Sequence, residues 1–142
     1  MGARKHITAE KVKESKKTIA FAKLNNCPTS PRKMRLVAGL VRGEGVEKSL
    51  YILKHSPKEA SNRMYKLVLS AVANWQAKNE GQRIEDANLY IKEVFVDSAR
   101  MMKRIQPAPQ GRAHRIRKRS NHVTLIVDSR VIVEETNLDK QI

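Results

Sequence analysis

The segment from Ser98 to Val127 carries eight fixed cations and no Asp or Glu. They are Arg100, Lys103, Arg104, Arg112, Arg115, Arg117, Lys118 and Arg119, joined by His114 and His122. Like charges at this density repel one another unless something neutralises them. Leu89 to Val96 (LYIKEVFV) and His122 to Val127 (HVTLIV) are rich in β-branched and aromatic residues, as strands are. Between them, Pro107-Ala108-Pro109-Gln110-Gly111 concentrates turn-forming residues. The pattern predicts one long hairpin over about 89–128, with an apolar base, a basic outer half and a tip at about 104–112. At ~3.3 Å per residue the outgoing strand would reach on the order of 60 Å. A small domain is only ~30 Å across, so the tip should protrude. From Arg100 to Ser120 only Met101, Met102, Ile105, Ile116 and some alanines could pack, and no third element is available to cover them. A two-stranded ribbon of that kind is marginally stable alone. It is expected to be mobile by itself and to take its shape against a polyanion.

The rest of the chain supplies a body. Residues 1–16 are lysine-rich and read as a basic extension, a flexible arm or loosely formed helix; Arg4 to Lys23 holds seven cations against Glu10 and Glu14. Thr18 to Leu24 suits a short strand ended by Asn25-Asn26-Cys27-Pro28. Ser30-Pro31 looks like a helix start, with Met34, Val37, Leu40 and Val41 at helical spacing and Gly43 as terminator. Arg32, Lys33, Arg35 and Arg42 decorate that helix. A second helix from about Val46 to His55 would bury Val46, Leu50 and Leu53. Ser56-Pro57-Lys58-Glu59 reads as a capping box that opens a third, whose stripe is Ala60, Met64, Leu67, Val68, Ala71 and Trp75. The expected fold is α+β: a small antiparallel sheet packed with three helices, with a long protruding β-hairpin. Residues 17–130 form one domain, and 131–142 an acidic extension with Glu134, Glu135 and Asp139.

The 142 residues carry a formal net charge of +15, which points to nucleic acid as the partner. No run approaches the ~18 apolar residues of a membrane span, and the N-terminus lacks the apolar core of a secretory signal. A lone Cys27 excludes a disulfide framework and suggests a reducing compartment. The basic arm contains no aromatic residue, which argues against recognition by base stacking on a sheet. A helix-turn-helix around Ser30 to Leu53 offers no convincing recognition helix. The histidines lack metal-ligand spacing, and Gly39, Gly43 and Gly45 match no phosphate-binding loop. Glu85, Asp86, Glu93 and Asp97 suit charge balance better than a nuclease site. Neither a catalytic site, a metal nor a cofactor is expected. The leading reading is a structural RNA-binding protein; a DNA-binding or chromosome-compacting basic protein is the alternative.

Three stretches resemble a known family: SPRKMRLVAGLVRG (Ser30 to Gly43), VLSAVANWQAKN (Val68 to Asn79) and FVDSARMMKRIQPAPQGRAHRIRKRSNHVTLIVDSR (Phe95 to Arg130). Together they are similar to the bacterial-type large-subunit ribosomal protein of family number twenty-two, over roughly Thr18 to Arg130. The resemblance implies a cytoplasmic ribosomal protein whose body sits on the large subunit, touches neighbouring ribosomal proteins and helps organise 23S-type rRNA during assembly. It implies that the hairpin penetrates that rRNA and that its tip lines the nascent-peptide exit tunnel. Arg32, Lys33, Arg35 and Arg42, with the arm's eight cations, would be the rRNA-binding residues. Met102, Lys103, Arg104, Gly111 and Arg112 match the family's tip, where changes affect macrolide sensitivity and peptide-dependent stalling. Ala108 and Gln110 stand at the tip where basic residues are expected, which weakens the carry-over of tunnel-lining charge and of any contact with nascent peptide.

Overall fold

Strand β5 (Asn121–Ser129) is the centre of a three-stranded antiparallel sheet, with β1 (Ala20–Cys27) on one side and β2 (Leu89–Ser98) on the other. The computed structural model describes residues 3–79 and 82–130; the acidic extension at 131–142 lies outside the described residues. In β5, Val123, Leu125 and Val127 alternate with less buried neighbours, so one face of the sheet is dry. Ala20 and Ala22 of β1, and Ile91, Val94 and Val96 of β2, complete that face. Bulges between Leu24 and Cys27 and between Ile91 and Glu93 shift the register on each side of β5.

Three helices cover the dry face: α2 (Pro31–Val41), α3 (Val46–His55) and α4 (Glu59–Lys78). α1 (Ala3–Thr18) precedes β1 in the chain. In α4 the stripe Ala60, Met64, Leu67, Val68, Ala71 and Trp75 is buried as its spacing predicts. Each large side chain so removed from water contributes about 1.5–3 kcal/mol. Ser30 is the N-cap of α2 with Pro31 in its first turn, and Gly43 follows its end at φ +79. That left-handed conformation suits glycine.

Three details differ from expectation. In α2 the buried stripe is Met34, Val37, Ala38 and Val41, whereas Leu40 is 49% exposed. Ala38, one turn after Met34, keeps the phase that Leu40 breaks. The capping box at Ser56 does not form: Ser56 is the extended C-cap of α3, and α4 begins at Glu59 with Lys58 as its N-cap. The backbone stays extended from Ser56 (ψ 128°) through Lys58 (ψ 130°), so the helix starts two residues later than a Ser56 cap requires and the Ser56 side chain is out of reach of its first N–H groups. Freed from capping, the Glu59 carboxylate accepts bonds from Thr29 Oγ1 (3.2 Å) and Arg63 Nε (2.6 Å). Finally, the long hairpin is two ladders: the sheet ends at Ser98 and Asn121, and a separate ribbon pairs β3 (Met102–Pro107) with β4 (Ala113–Lys118). The break falls just beyond Val96, the last buried apolar residue of β2.

Both edges of the sheet are covered by other parts of the body. On β2, Arg35 donates from Nε and Nη2 to the Val96 carbonyl (3.3 and 3.0 Å), and Arg42 Nη2 donates to Val94 (2.8 Å). The loop after α2 adds Gly43 N–H to the Ile91 carbonyl (2.8 Å) and Ile91 N–H to Glu44 (2.9 Å). On β1, Asn74 of α4 donates to Phe21 (2.9 Å), and Lys78 donates to Ile19 just before the strand (2.7 Å). The β2 edge, so occupied, is poorly placed to recruit another strand.

Candidate nucleic-acid interface

At the root of the arm, Asn121 is fully buried, and its amide donates to the Thr29 carbonyl. It pairs with Ser98 across β2 and with Cys27 across β1, fixing where the arm leaves the sheet. Beside it, His122 Nδ1 accepts the N–H of Asn26 (3.1 Å), within the β1 bulge. One backbone bond, Ala99 N–H to the Ser120 carbonyl (2.9 Å), crosses the gap between the two ladders. Arg100 and Arg119 lie in this neck, outside either ladder.

Beyond the neck every residue of β3 is exposed, and Ile116 alone in β4 is half-buried. Lys103 pairs with Arg117, Ile105 with Arg115, Arg104 with Ile116 and Met102 with Lys118. Side chains alternate across a ribbon, so one face carries Lys103, Arg115 and Arg117. The other carries Arg104, Lys118 and His114, with the apolar Met102 and Ile116 among them. Lys103 directly opposite Arg117 is a like-charge pair, which destabilises an isolated ladder. Ile105, 77% exposed, has no apolar cover. The described ion pairs use the carboxylates of Glu10, Glu44, Glu59 and Asp128, and none reaches the arm. Arg104 turns back on its own strand, to the Lys103 carbonyl (3.0 Å) and the Met102 sulfur (3.7 Å).

The tip is a tight turn. Arg112 N–H donates to the Pro109 carbonyl (3.4 Å) and Ala108 N–H to Arg112 (2.9 Å). Both central residues have positive φ, Gln110 at 63° and Gly111 at 67°, the signature of a primed turn matched to ribbon twist. Glycine at 111 is thereby explained; Gln110 holds a conformation that a side chain disfavours.

The structure thus brings Lys103, Arg104, Arg115, Arg117 and Lys118 together on one ribbon, with Arg112 at its end. Arg32 and Lys33 are exposed in the first turn of α2, on the body and not on that ribbon. Arg35 and Arg42 spend donors on the β2 edge, a structural task that their sequence pattern did not announce. A three-residue cluster of His, Cys, Asp or Glu able to hold a metal is absent among the described residues. No described helix is long and apolar enough to cross a membrane.

Residues 22–128 match the family model described as "Ribosomal protein L22p/L17e". The chain is 69% identical over 127 residues to a "Large ribosomal subunit protein uL22" of Christiangramia forsetii, covering 89% of this chain and 94% of the relative. It is 64% identical over 129 residues to the protein of that name from Flavobacterium psychrophilum, covering 91% and 94% of the two chains. With the Bacteroides fragilis protein it shares 58% identity over 137 residues, 96% of this chain and all of the relative.

Proposed function

Because this chain belongs to the ribosomal protein L22p/L17e family, whose members are structural proteins of the large ribosomal subunit and not enzymes, we propose that its β3–β4 arm threads into large-subunit rRNA of the 23S type and takes its final shape there. One observation carries the reading: cations occupy both faces of a ribbon that has neither core nor counter-charge. A surface that met nucleic acid on one side would need charge on one face only. Charge on both faces fits a ribbon surrounded by phosphates. Arginine supplies most of these groups, and its planar fork suits bidentate phosphate contact.

Arg100 and Arg119 extend the phosphate contact into the neck, and Arg112 carries it to the tip. Met102, Lys103, Arg104, Ala108, Gln110, Gly111 and Arg112 are the residues proposed to line the nascent-peptide exit tunnel. On the body, Arg32 and Lys33 have free heads for rRNA, and Arg35 and Arg42 contribute only the donors that β2 leaves unused. Leu36 and Leu40, exposed at 59% and 49%, sit beside Arg32 on α2 and suit a neighbouring large-subunit protein. The workplace of such a protein is the cytoplasmic ribosome, and holding rRNA segments in place is its contribution to assembly. Residues 17–130 act as one rRNA-binding unit, with 131–142 as an appendage.

Replacing Arg115, Arg117, Lys118 and Arg119 together with Glu tests this directly. The variant is expected to keep a folded body and to disappear from large subunits in gradient fractions. Normal incorporation would defeat the proposal. With eight cations engaged, rRNA affinity of the unaltered protein should fall with salt at a log–log slope on the order of −6 from the arm alone.

A further inference from the structure

A second strongly charged element stands apart from the arm. Ala3–Thr18 forms α1, a 16-residue helix about 24 Å long. Its described side chains are exposed, and Ile7 and Val12 fall on different sides of the helix, so it has no apolar stripe for the body or for a second helix. A polar connection ties its end down: Lys78 Nζ donates to the Lys16 carbonyl (3.3 Å) and to Ile19 (2.7 Å).

The charges on α1 are sorted. Glu10 and Glu14, four residues apart, share one side, and Glu10 faces His6 at 3.5 Å. At 100° per residue, Arg4, Lys5, Lys11, Lys13 and Lys16 spread over the remaining arc of about 200°, which contains no carboxylate, while Lys17 falls on the acidic side between His6 and Glu10. Arg4 and Lys5 also occupy the first turn, where the helix dipole disfavours cations unless an anion is close. The topology fixes where this helix is rooted. α1 enters β1 at Ala20, which pairs with Val127, whereas the arm leaves at Asn121, which pairs with Cys27. The two basic elements therefore spring from opposite ends of the sheet, roughly 20 Å apart along the strand.

We propose that α1 is a second RNA anchor, binding phosphates through its acid-free face at the pole of the body opposite the arm. This rests on the rRNA-binding reading of the arm and adds a second, separate site to it. Two anchors on one rigid sheet make the second contact intramolecular once the first has formed, so both together hold RNA far more tightly than either alone.

The test measures binding of full-length protein to large-subunit rRNA across a salt series. K5Q/K11Q/K13Q/K16Q retains good helix formers and is expected to flatten the log–log salt slope by about 3, with the arm untouched. E10Q/E14Q is expected to do the reverse and tighten binding. If the lysine variant keeps the parent's slope and affinity while the arm variant loses both, the anchor is overturned and the arm's role stands. If the lysine variant drops out of large subunits without a change in rRNA slope, α1 meets a protein, and the proposal is equally overturned. If the unaltered protein ignores rRNA at low salt, the arm's role fails first.

Discussion

Asn121 decides where body ends and arm begins. It is fully buried, and its amide satisfies the Thr29 carbonyl. Asn121→Ala should leave that carbonyl without its partner and cost about 1–3 kcal/mol, measurable by denaturant unfolding. The Asn121 Oδ1 and the hydroxyls of Ser49 and Ser61 are buried with no hydrogen-bond partner, and the two serines make no bond that would offset this. Ser49→Ala and Ser61→Ala should therefore hold or raise stability in the same assay. Glu59 gives a pH-dependent test. The hydrogen bond from Arg63 is the largest influence on its carboxyl; burial opposes it, and the Arg63 charge and the Thr29 hydroxyl add to it, so that the carboxyl lies below the ordinary carboxylate value. A depressed folded-state pKa gives stability that is present above the unfolded value of 4.5 and lost as pH falls through the lowered one. Glu59→Gln should remove that acid-side loss, by a small amount because the pair is exposed to solvent. None of these three roles is written in sequence. Asn121 looks like a turn residue, and Glu59 looks like part of a capping box, although the helix begins only at Glu59 with Lys58 as its N-cap.

At the scale of elements, legibility follows the strength of the local signal. α4 could be read from its sequence because six apolar residues repeat in phase over 20 residues and no competing pattern exists. α2 was legible in extent but not wholly in face: Leu40 stood in the expected stripe in place of Ala38, which the helical period puts inside. The arm was legible in charge and turn position, and its break into two ladders was not. Apolar residues recur beyond the break at Met102 and Ile105, on opposite faces of the ribbon, while the three-stranded sheet stops two residues after Val96, the last buried apolar residue of β2. α1 gave a charge count without a shape, because helical order there rests on no apolar stripe. The sheet edges were invisible as well: that Arg35 and Arg42 meet β2 carbonyls depends on contacts about fifty to sixty residues apart in sequence.

For the whole molecule, the account is of a small dry body holding two basic elements that it does little to stabilise. The body has its own core, so arm variants should unfold with the midpoint of the parent. The arm has cations on both faces and no cover, so its order must come from outside. Hydrogen exchange followed by mass spectrometry, on the free protein and on assembled large subunits, tests this most directly. In the free protein, amides of Met102 to Lys118 should exchange fast while those of the α4 helix exchange slowly. In large subunits the arm should become strongly protected. An arm as protected as α4 in the free protein, or one still unprotected in the subunit, would contradict the claim that phosphates give it its shape.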